Sequence, residues 1–174
     1  MTSAHGATVW FTGFSGSGKT TVALALASLL EARDRRHYVL DGDVLREGLN
    51  SDLGFSEDDR AENVRRVGEV ARLFTGAGFV TLVPVISPFR AGRDAARDAH
   101  ERSGLRFLEI HMDTSLDECE RRDAKGLYAR ARSGQIPQFT GIDSPYEPPL
   151  RPELVLRPAD GDPVSMAERI LQLL

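Results

Sequence analysis

One short stretch of the chain combines glycines, hydroxyls and a lysine at a spacing that suits phosphate chemistry. Its members are Gly13, Phe14, Ser15, Gly16, Ser17, Gly18, Lys19, Thr20 and Thr21. The glycines let successive backbone N–H groups turn towards one phosphate. Lys19 is placed to reach the β- and γ-phosphates of a nucleotide and to act in catalysis, and the Thr20 hydroxyl suits Mg²⁺. The stretch therefore predicts a phosphate-binding loop that holds ATP with Mg²⁺.

The elements on either side of this loop support that interpretation over a chance glycine turn. Residues 8–12 are β-branched or aromatic and predict a buried strand, and residues 22–30 predict a helix. A helix that begins at the end of the loop adds its partial positive charge to the site.

Two carboxylates follow the next predicted strand. Asp41 and Asp43 come directly after residues 37–40, at a strand end that faces the cleft in a parallel sheet. One can orient the ligands of Mg²⁺, and the other can accept a proton from an attacking hydroxyl. Asp43 also suits the N-cap of a helix, which is compatible with either role.

A predicted helix over residues 58–75 carries polar residues on its inward face. Its apolar stripe consists of Val64, Val67, Ala71 and Phe74. Extended towards the helix N-terminus, the stripe reaches Arg60 and Asn63. These two side chains suit a phosphate or sulfate and the edge of a base or ribose.

Lysine is scarce in this chain. Of the 22 Lys and Arg residues, only Lys19 and Lys125 are lysines. Since a compact mobile cation is the special property of lysine, this scarcity favours a role for Lys125, although an arbitrary surface cation is the simpler alternative. The net charge of −4 argues against a general nucleic-acid binder.

The remaining pattern predicts an α/β fold of the P-loop NTPase type. Apolar strand-like runs alternate with helical ones, which implies a parallel sheet of about five strands with helices on both faces. The predicted strands are 8–12, 37–40, 79–86, 105–112 and 154–156, and the further helices are 93–103, 116–122 and 163–174. Residues 123–149, rich in Arg, Gly and Pro, break the alternation and predict a lid over the site; a plain surface loop is the alternative.

Length and composition predict one domain over residues 1–174 in the cytoplasm. The 174 residues suit a single core, and no apolar run is long enough to cross a membrane. The first seven residues lack the pattern of a signal peptide. The single cysteine, Cys119, agrees with a reducing compartment and is expected to be a packed side chain.

Several segments beyond the loop resemble adenylylsulfate kinase (APS kinase). They are residues 40–46, 53–56, 59–66, 86–90, 122–128 and 139–143, and the resemblance runs in order from the loop to residues 152–156. It implies transfer of the γ-phosphoryl group of MgATP to the 3′-hydroxyl of adenosine 5′-phosphosulfate. The family is commonly dimeric, so the resemblance also implies a homodimer.

The same resemblance implies roles for individual residues. Asp43 matches the carboxylate that activates the 3′-hydroxyl, which leaves Asp41 for Mg²⁺. The positions that match substrate-binding residues are Arg46, Arg60 and Asn63 for the phosphosulfate end, Phe55 and Phe139 for the adenine, Lys125 in the lid and Ser87 after a strand. Arg122 matches a lid arginine near the ATP phosphates. The serine at the position of Ser87 has been described as a phosphoserine intermediate, but direct transfer needs only positioning and charge neutralisation, so the role of Ser87 stays open.

Two alternatives stay open beside this assignment. One is a different small-molecule kinase of the same fold, which has no need of paired loop phenylalanines. The other is a weakened nucleotide-binding homologue, because Val44 stands where the family usually has Asn beside the catalytic carboxylate, and Pro137 departs from the pattern before Phe139.

Overall fold

A parallel sheet lies at the centre of the molecule. The computed structural model describes residues 6–174, and within this range the sheet has five strands. They are β1 (Ala7–Thr12), β2 (His37–Val39), β3 (Val80–Pro84), β4 (Arg106–Met112) and β5 (Leu154–Leu156). Their spatial order is β2-β3-β1-β4-β5, and every neighbouring pair is parallel. The predicted fold class is therefore confirmed.

Helices connect the strands and cover the sheet. Those in the described range are α1 (Lys19–Glu31), α2 (Gly42–Glu47), α3 (Glu57–Gly76), α4 (Arg90–Arg102), α5 (Leu116–Arg122), α6 (Leu127–Arg132) and α7 (Pro163–Leu171), with a short 3₁₀ helix at Pro158–Asp160. The lid segment, residues 123–149, contains α6 and otherwise lacks regular helices.

The central strand β1 shows why both faces of the sheet are covered. It is buried along its whole length, and its successive side chains point to opposite faces. Val9 and Phe11 pack in a core with residues of α1 and α7. Trp10 packs in a second core with residues of α3 and α4. Because all five strands are parallel, their carboxyl ends lie at one edge, where the phosphate-binding loop follows β1.

Helix α4 begins three residues before its predicted start and α7 ends three residues before its predicted end, and two larger local differences lie at β3 and α2. Strand β3 ends at Pro84 rather than continuing to residue 86, since the chain turns at Ser87, which has a φ of 44°. Helix α2 was not predicted. None of its residues is buried, so it shows no apolar stripe. Its N-cap is Asp41, not Asp43, and the Asp41 carboxylate accepts hydrogen bonds from the backbone N–H groups of Asp43 and Val44.

Domain extent and targeting were predicted from all 174 residues, and the structure describes residues 6–174. The absence of a signal peptide was predicted from the first seven residues, and residues 1–5 of these lie outside the described residues. A single domain over 1–174 stays a prediction. No helix found between residues 6 and 174 has both the length and the apolar character needed to cross a bilayer.

Candidate active site

The phosphate-binding loop is shaped by its glycines and by the helix that follows. Gly13 has a φ of 148°, and a Cβ there would lie 2.7 Å from the carbonyl oxygen of Met112. Gly18 adopts the left-handed conformation and caps α1, which begins at Lys19. The free N–H groups of the first helical turn therefore open onto the loop, as a phosphate requires.

Lys19 lies inside this loop. Its ammonium donates to the carbonyl oxygens of Gly13 (2.9 Å) and Phe14 (2.6 Å), and the residue is only 8% exposed. Burial lowers the pKa of Lys19 from 10.5 to about 7, because a charge in a poorly solvated place is costly. The cation is thus held where phosphate oxygens would surround it.

The two predicted Mg²⁺ ligands lie next to each other. The Thr20 hydroxyl donates to Oδ2 of Asp41 over 3.3 Å, so a hydroxyl oxygen and a carboxylate oxygen meet at the mouth of the loop. Between residues 6 and 174 no group of three or more His, Cys, Asp or Glu forms a dedicated metal cage. A pair of oxygen ligands fits Mg²⁺, which proteins usually hold through one or two side chains together with substrate phosphates and water.

Asp43 and Lys125 meet across the cleft although they are 82 positions apart in the chain. The Lys125 ammonium donates to Oδ2 of Asp43. Both side chains are largely exposed, at 62% for Lys125 and 74% for Asp43. Such an exposed ion pair adds little stability. Asp43 and Lys125 can therefore separate at little cost, and each can contact a substrate group instead.

Arg46 and Phe55 form an outer wall of the cleft, on the side predicted to bind the phosphoryl acceptor (the acceptor side). The guanidinium of Arg46 lies 4.3 Å from the centre of the Phe55 ring and donates to the carbonyl oxygen of Gly54. Phe55 is 58% exposed. A cavity of about 350 Å³ lies between Phe55 and residues 135–138 of the lid. An exposed ring that faces a cavity is available to stack on a flat ligand.

Arg60 lies deeper and contacts the lid. Its Nη1 donates to the hydroxyls of Thr140 (2.8 Å) and Ser144 (3.1 Å). Burial, and then the nearby charge of Arg46, lower the pKa of Arg60. Two cations therefore converge on one side of the cleft, as an anionic ligand requires. The predicted inward face of α3 is confirmed for Arg60, which is 8% exposed.

Asn63 has a partner that sequence reasoning missed. The buried side chain of Asn50 donates from Nδ2 to Oδ1 of Asn63 over 3.0 Å. Since that oxygen is already occupied, Asn63 has its own amide N–H groups left to offer to a ligand. No motif pointed to Asn50, because it follows the unpredicted helix α2.

Phe139 does not stand opposite Phe55 as an exposed ring. It is 9% exposed and packs in a small lid core with Cys119, Tyr128 and Ala131. Its ring lies edge-on to Tyr128, with centroids 5.0 Å apart. Packing of Cys119 agrees with the sequence-based expectation for that side chain. Stacking of Phe139 on adenine stays a prediction.

Tyr128 connects the lid core to the phosphate-binding loop. Its hydroxyl donates to the carbonyl oxygen of Ser15 over 2.7 Å, and burial raises the pKa of Tyr128 well above its usual value. The sequence gave no sign of this contact. Tyr128 therefore connects the lid to the backbone of the phosphate-binding loop by a direct hydrogen bond.

Ser87 is buried below the cleft. It is 3% exposed, and its hydroxyl accepts a hydrogen bond from the indole N–H of Trp10 over 3.0 Å. The same hydroxyl donates to the carbonyl oxygen of Val85. The Ser87 side chain is therefore occupied on both sides by the core of the sheet.

Two predicted nucleotide-binding residues lie towards the surface. The Arg122 guanidinium donates to Glu118 over 2.7 Å, and Thr21 is exposed on α1. Phe14, in contrast, packs against Tyr146, with ring centroids 4.9 Å apart. A shallow, open cleft of about 500 Å³ lies between Phe14 and residues 141–146 of the lid.

Comparisons with known proteins agree with this arrangement. The family model described as Adenylylsulphate kinase matches residues 5–157. The chain belongs to the adenylylsulphate kinase family. Adenylyl-sulfate kinase 3 of Arabidopsis thaliana is 52% identical over 97% of this chain and 82% of its own length. The solved Mycobacterium tuberculosis APS kinase CysC, in complex with AMPPNP and APS, superposes with a TM-score of 0.94 at 52% identity, covering 97% of both chains.

Some relatives in the adenylylsulphate kinase family are much longer. The bifunctional enzyme NodQ of Rhizobium sp. strain BR816 is 54% identical over 98% of this chain, but the match spans only 26% of that protein. The chain thus spans about a quarter of this bifunctional relative and most of the single-function kinase.

Proposed function

We propose that this chain transfers the γ-phosphoryl group of MgATP to the 3′-hydroxyl of adenosine 5′-phosphosulfate, giving ADP and 3′-phosphoadenosine 5′-phosphosulfate. The observation that carries the proposal is the contact between Asp43 and the lid residue Lys125 beside the phosphate-binding loop. It joins a potential base to a mobile cation at the place where the γ-phosphate would end. Membership of the family and the complex of the M. tuberculosis relative with AMPPNP and APS support the choice of substrates.

On the nucleotide side the loop binds and orients ATP. Backbone N–H groups of residues 13–21 hold the β-phosphate, and Lys19 neutralises charge between the β- and γ-phosphates. Thr20 and Asp41 would hold Mg²⁺, which would supply positive charge against the phosphate groups during transfer. Arg122 exchanges its surface partner Glu118 for the nucleotide.

On the acceptor side Asp43 accepts the proton of the 3′-hydroxyl as its oxygen attacks the γ-phosphorus. Lys125 leaves Asp43 and stabilises the transferring phosphoryl group, which frees the carboxylate to act as a base. Arg46 and Arg60 bind the phosphosulfate end, and Asn63 offers N–H groups to its oxygen atoms or to the ribose. The exposed Phe55 stacks on the adenine.

Direct transfer is the mechanism that the burial of Ser87 favours. A phosphoserine intermediate would require the Ser87 hydroxyl to reach the γ-phosphate. This hydroxyl is instead hydrogen-bonded to the Trp10 indole and the Val85 carbonyl oxygen, and Ser87 is only 3% exposed. We assign Ser87 to the floor of the acceptor site. In-line transfer from ATP to the 3′-hydroxyl needs no covalent enzyme intermediate.

A cytoplasmic location and a homodimer complete the proposal. The use of MgATP as the phosphoryl donor requires a compartment that contains ATP. The single cysteine, Cys119, is a buried free thiol, which fits a reducing compartment. The dimer is a prediction from the family. Light scattering on the purified protein measures its mass in solution directly.

The deciding experiment is a coupled assay of ADP release from MgATP. Adenosine 5′-phosphosulfate is compared with adenosine, AMP, gluconate and shikimate, and Lys19→Met shows how much release comes from this loop. We expect turnover with adenosine 5′-phosphosulfate alone and a product phosphorylated on the 3′-hydroxyl. Turnover with another acceptor instead would favour a different small-molecule kinase, and silence from folded, ATP-binding protein would favour a weakened homologue.

A further inference from the structure

Arg93, on helix α4, lies beneath the acceptor side of the site with a completely buried guanidinium. The residue is 1% exposed, and its partner Glu109 on strand β4 is 4% exposed. The Arg93 Nε donates to Oε1 of Glu109 over 2.8 Å. The proposed reaction gives Arg93 no role.

The other two arms of the guanidinium reach two different segments. Nη1 donates to the backbone carbonyl oxygen of Ser87 over 2.5 Å, and Nη2 donates to the backbone carbonyl oxygen of Glu147 over 2.6 Å. One planar group thus joins β4, the turn after β3 and the carboxyl end of the lid segment. Only arginine has donors fixed in a fork that can make three such contacts at once.

The Ser87 turn needs support of this kind. Its φ of 44° places a residue with a Cβ in the left-handed region, which persists only where the surroundings hold it. Trp10 holds the Ser87 hydroxyl, and the Ser87 carbonyl oxygen accepts a short hydrogen bond from Arg93 and a longer one, 3.4 Å, from Thr12. Of the contacts to the Ser87 carbonyl group, the one from Arg93 is the shorter, so Arg93 contributes most to holding this group in place.

The carboxyl end of the lid is attached to the same place. The Glu147 amide donates to the carbonyl oxygen of Pro88 over 2.8 Å, and the Glu147 carboxylate accepts from the Arg90 amide. Next to it, the Tyr146 ring lies 5.8 Å from the Arg93 guanidinium. These contacts fix residues 146 and 147 on the turn that carries Ser87.

We propose that Arg93 is a positioning residue for the acceptor: it sets the Ser87 turn and the carboxyl end of the lid relative to each other. The inference rests on the proposed function, because it concerns the adenosine 5′-phosphosulfate side of that site. A purely structural ion pair with Glu109 would be satisfied by any cation, and a buried pair by itself is a weak source of stability. The contacts to Ser87 and Glu147 are what a lysine cannot reproduce.

Arg93→Lys tests the proposal, and Arg97→Lys is its matched control. Arg97 lies on the same helix and contacts Glu109 and Glu153, so its replacement disturbs the same ion network on the side away from Ser87. We expect Arg93→Lys to raise the KM for adenosine 5′-phosphosulfate about tenfold, the effect of one or two lost hydrogen bonds. The KM for MgATP should change less than about twofold, and Arg97→Lys should leave both values near those of the wild type.

Hydrogen exchange at the Glu147 amide gives a second readout that needs no turnover. We expect faster exchange in Arg93→Lys and unchanged exchange in Arg97→Lys. If the wild type shows no turnover with adenosine 5′-phosphosulfate, the proposed function fails, while the exchange still reports whether Arg93 anchors the lid.

Equal effects of the two variants, or an equal rise of both KM values in Arg93→Lys, would overturn the proposal. Should Arg93→Lys prove too unstable to assay, Arg93→Met with Glu109→Gln removes the buried charge together with its partner, which limits the loss of stability. The same selective rise in the acceptor KM is expected of that double variant, and its absence would equally overturn the assignment.

Discussion

The nucleotide side and the acceptor side of the candidate site are built in different ways. Apart from Asp41 and Arg122, the nucleotide side consists of nine consecutive residues, 13–21, whose backbone is set by glycines and by the start of α1. The acceptor side collects side chains from residues 43 to 139, which lie on two helices, two loops and the lid. Local backbone geometry fixes the first, whereas the second exists only when distant segments pack together.

The charged groups nearest the transferred phosphoryl group also differ in exposure. Lys19 is 8% exposed, while Asp43 and Lys125 keep 74% and 62% of their side-chain surface in solvent. A buried cation is already oriented before a ligand arrives. An exposed pair must lose side-chain freedom on binding, so the acceptor side gains most of its order from the acceptor and the lid.

The largest effect that follows from this comparison concerns Asp43. Replacing Asp43 with Ala should lower kcat by ~10²–10⁴-fold, the usual loss on removing a general base. The Kd for MgATP should change little, because the charge of Asp43 acts on Lys19 of the loop less strongly than burial does. Coupled ADP release and titration calorimetry measure the two quantities. Asp98→Ala, an exposed carboxylate on α4, is the control.

Near-normal turnover in Asp43→Ala would remove Asp43 as the base. A large loss of MgATP affinity would show that the two sides of the site are not separable in the way described.

The difference between the two sides also explains what the sequence could predict. The loop, its flanking strand β1 and helix α1 follow from adjacent residues, so they were predicted with their order and connection. The inward position of Arg60 followed from the apolar period of α3. Helix α2 was missed because it buries no residue, and its N-cap on Asp41 leaves a weaker sequence pattern than an apolar stripe.

Contacts between distant segments left no such trace. The hydrogen bond from Tyr128 to Ser15, the pairing of Asn50 with Asn63, and the burial of Phe139 all depend on where the lid and the turn after α2 come to rest. The residue types alone fit both an exposed and a buried phenylalanine. Only the packing distinguishes Phe139 from Phe55.

That distinction predicts different outcomes for the two phenylalanines. Phe55→Ala should raise the KM for adenosine 5′-phosphosulfate by about five- to 150-fold, which corresponds to the ~1–3 kcal/mol of one base–aromatic stack. Its Tm should stay unchanged, because the ring is 58% exposed. Phe139→Ala should weaken acceptor binding more than ATP binding but should also lower stability, by ~3–5 kcal/mol if the lid unfolds with the core.

Thermal unfolding and the two KM values separate these effects. Leu73→Ala, which removes an exposed apolar side chain on the far part of α3 (63% exposed), controls for loss of surface area. A Phe55→Ala enzyme with an unaltered acceptor KM would exclude stacking on this ring. Equal losses of acceptor and ATP binding in Phe139→Ala would exclude an acceptor-specific role for Phe139.

The smallest predicted effect tests the burial of the nucleotide side through pH. Since burial lowers the pKa of Lys19 to about 7 and bound phosphates favour the ammonium form, the pKa of Lys19 should rise when MgATP binds. Below about pH 7 Lys19 is already charged, so affinity should be nearly constant there. As the pH rises above that value, binding must take up a proton, and affinity should fall by up to about tenfold per pH unit until the pKa of the complex is reached.

Calorimetry in two buffers of different ionisation enthalpy detects this proton directly, at about pH 8, where the phosphates, with a last pKa of about 6, are already ionised. Lys19→Met should bind more weakly and should show neither the proton uptake nor the slope. A slope that persists in Lys19→Met would assign the proton to another group. If the MgATP affinity of the wild type does not fall with rising pH, Lys19 is already fully charged before ATP binds. The carbonyl oxygens of Gly13 and Phe14 would then be sufficient to stabilise its ammonium form.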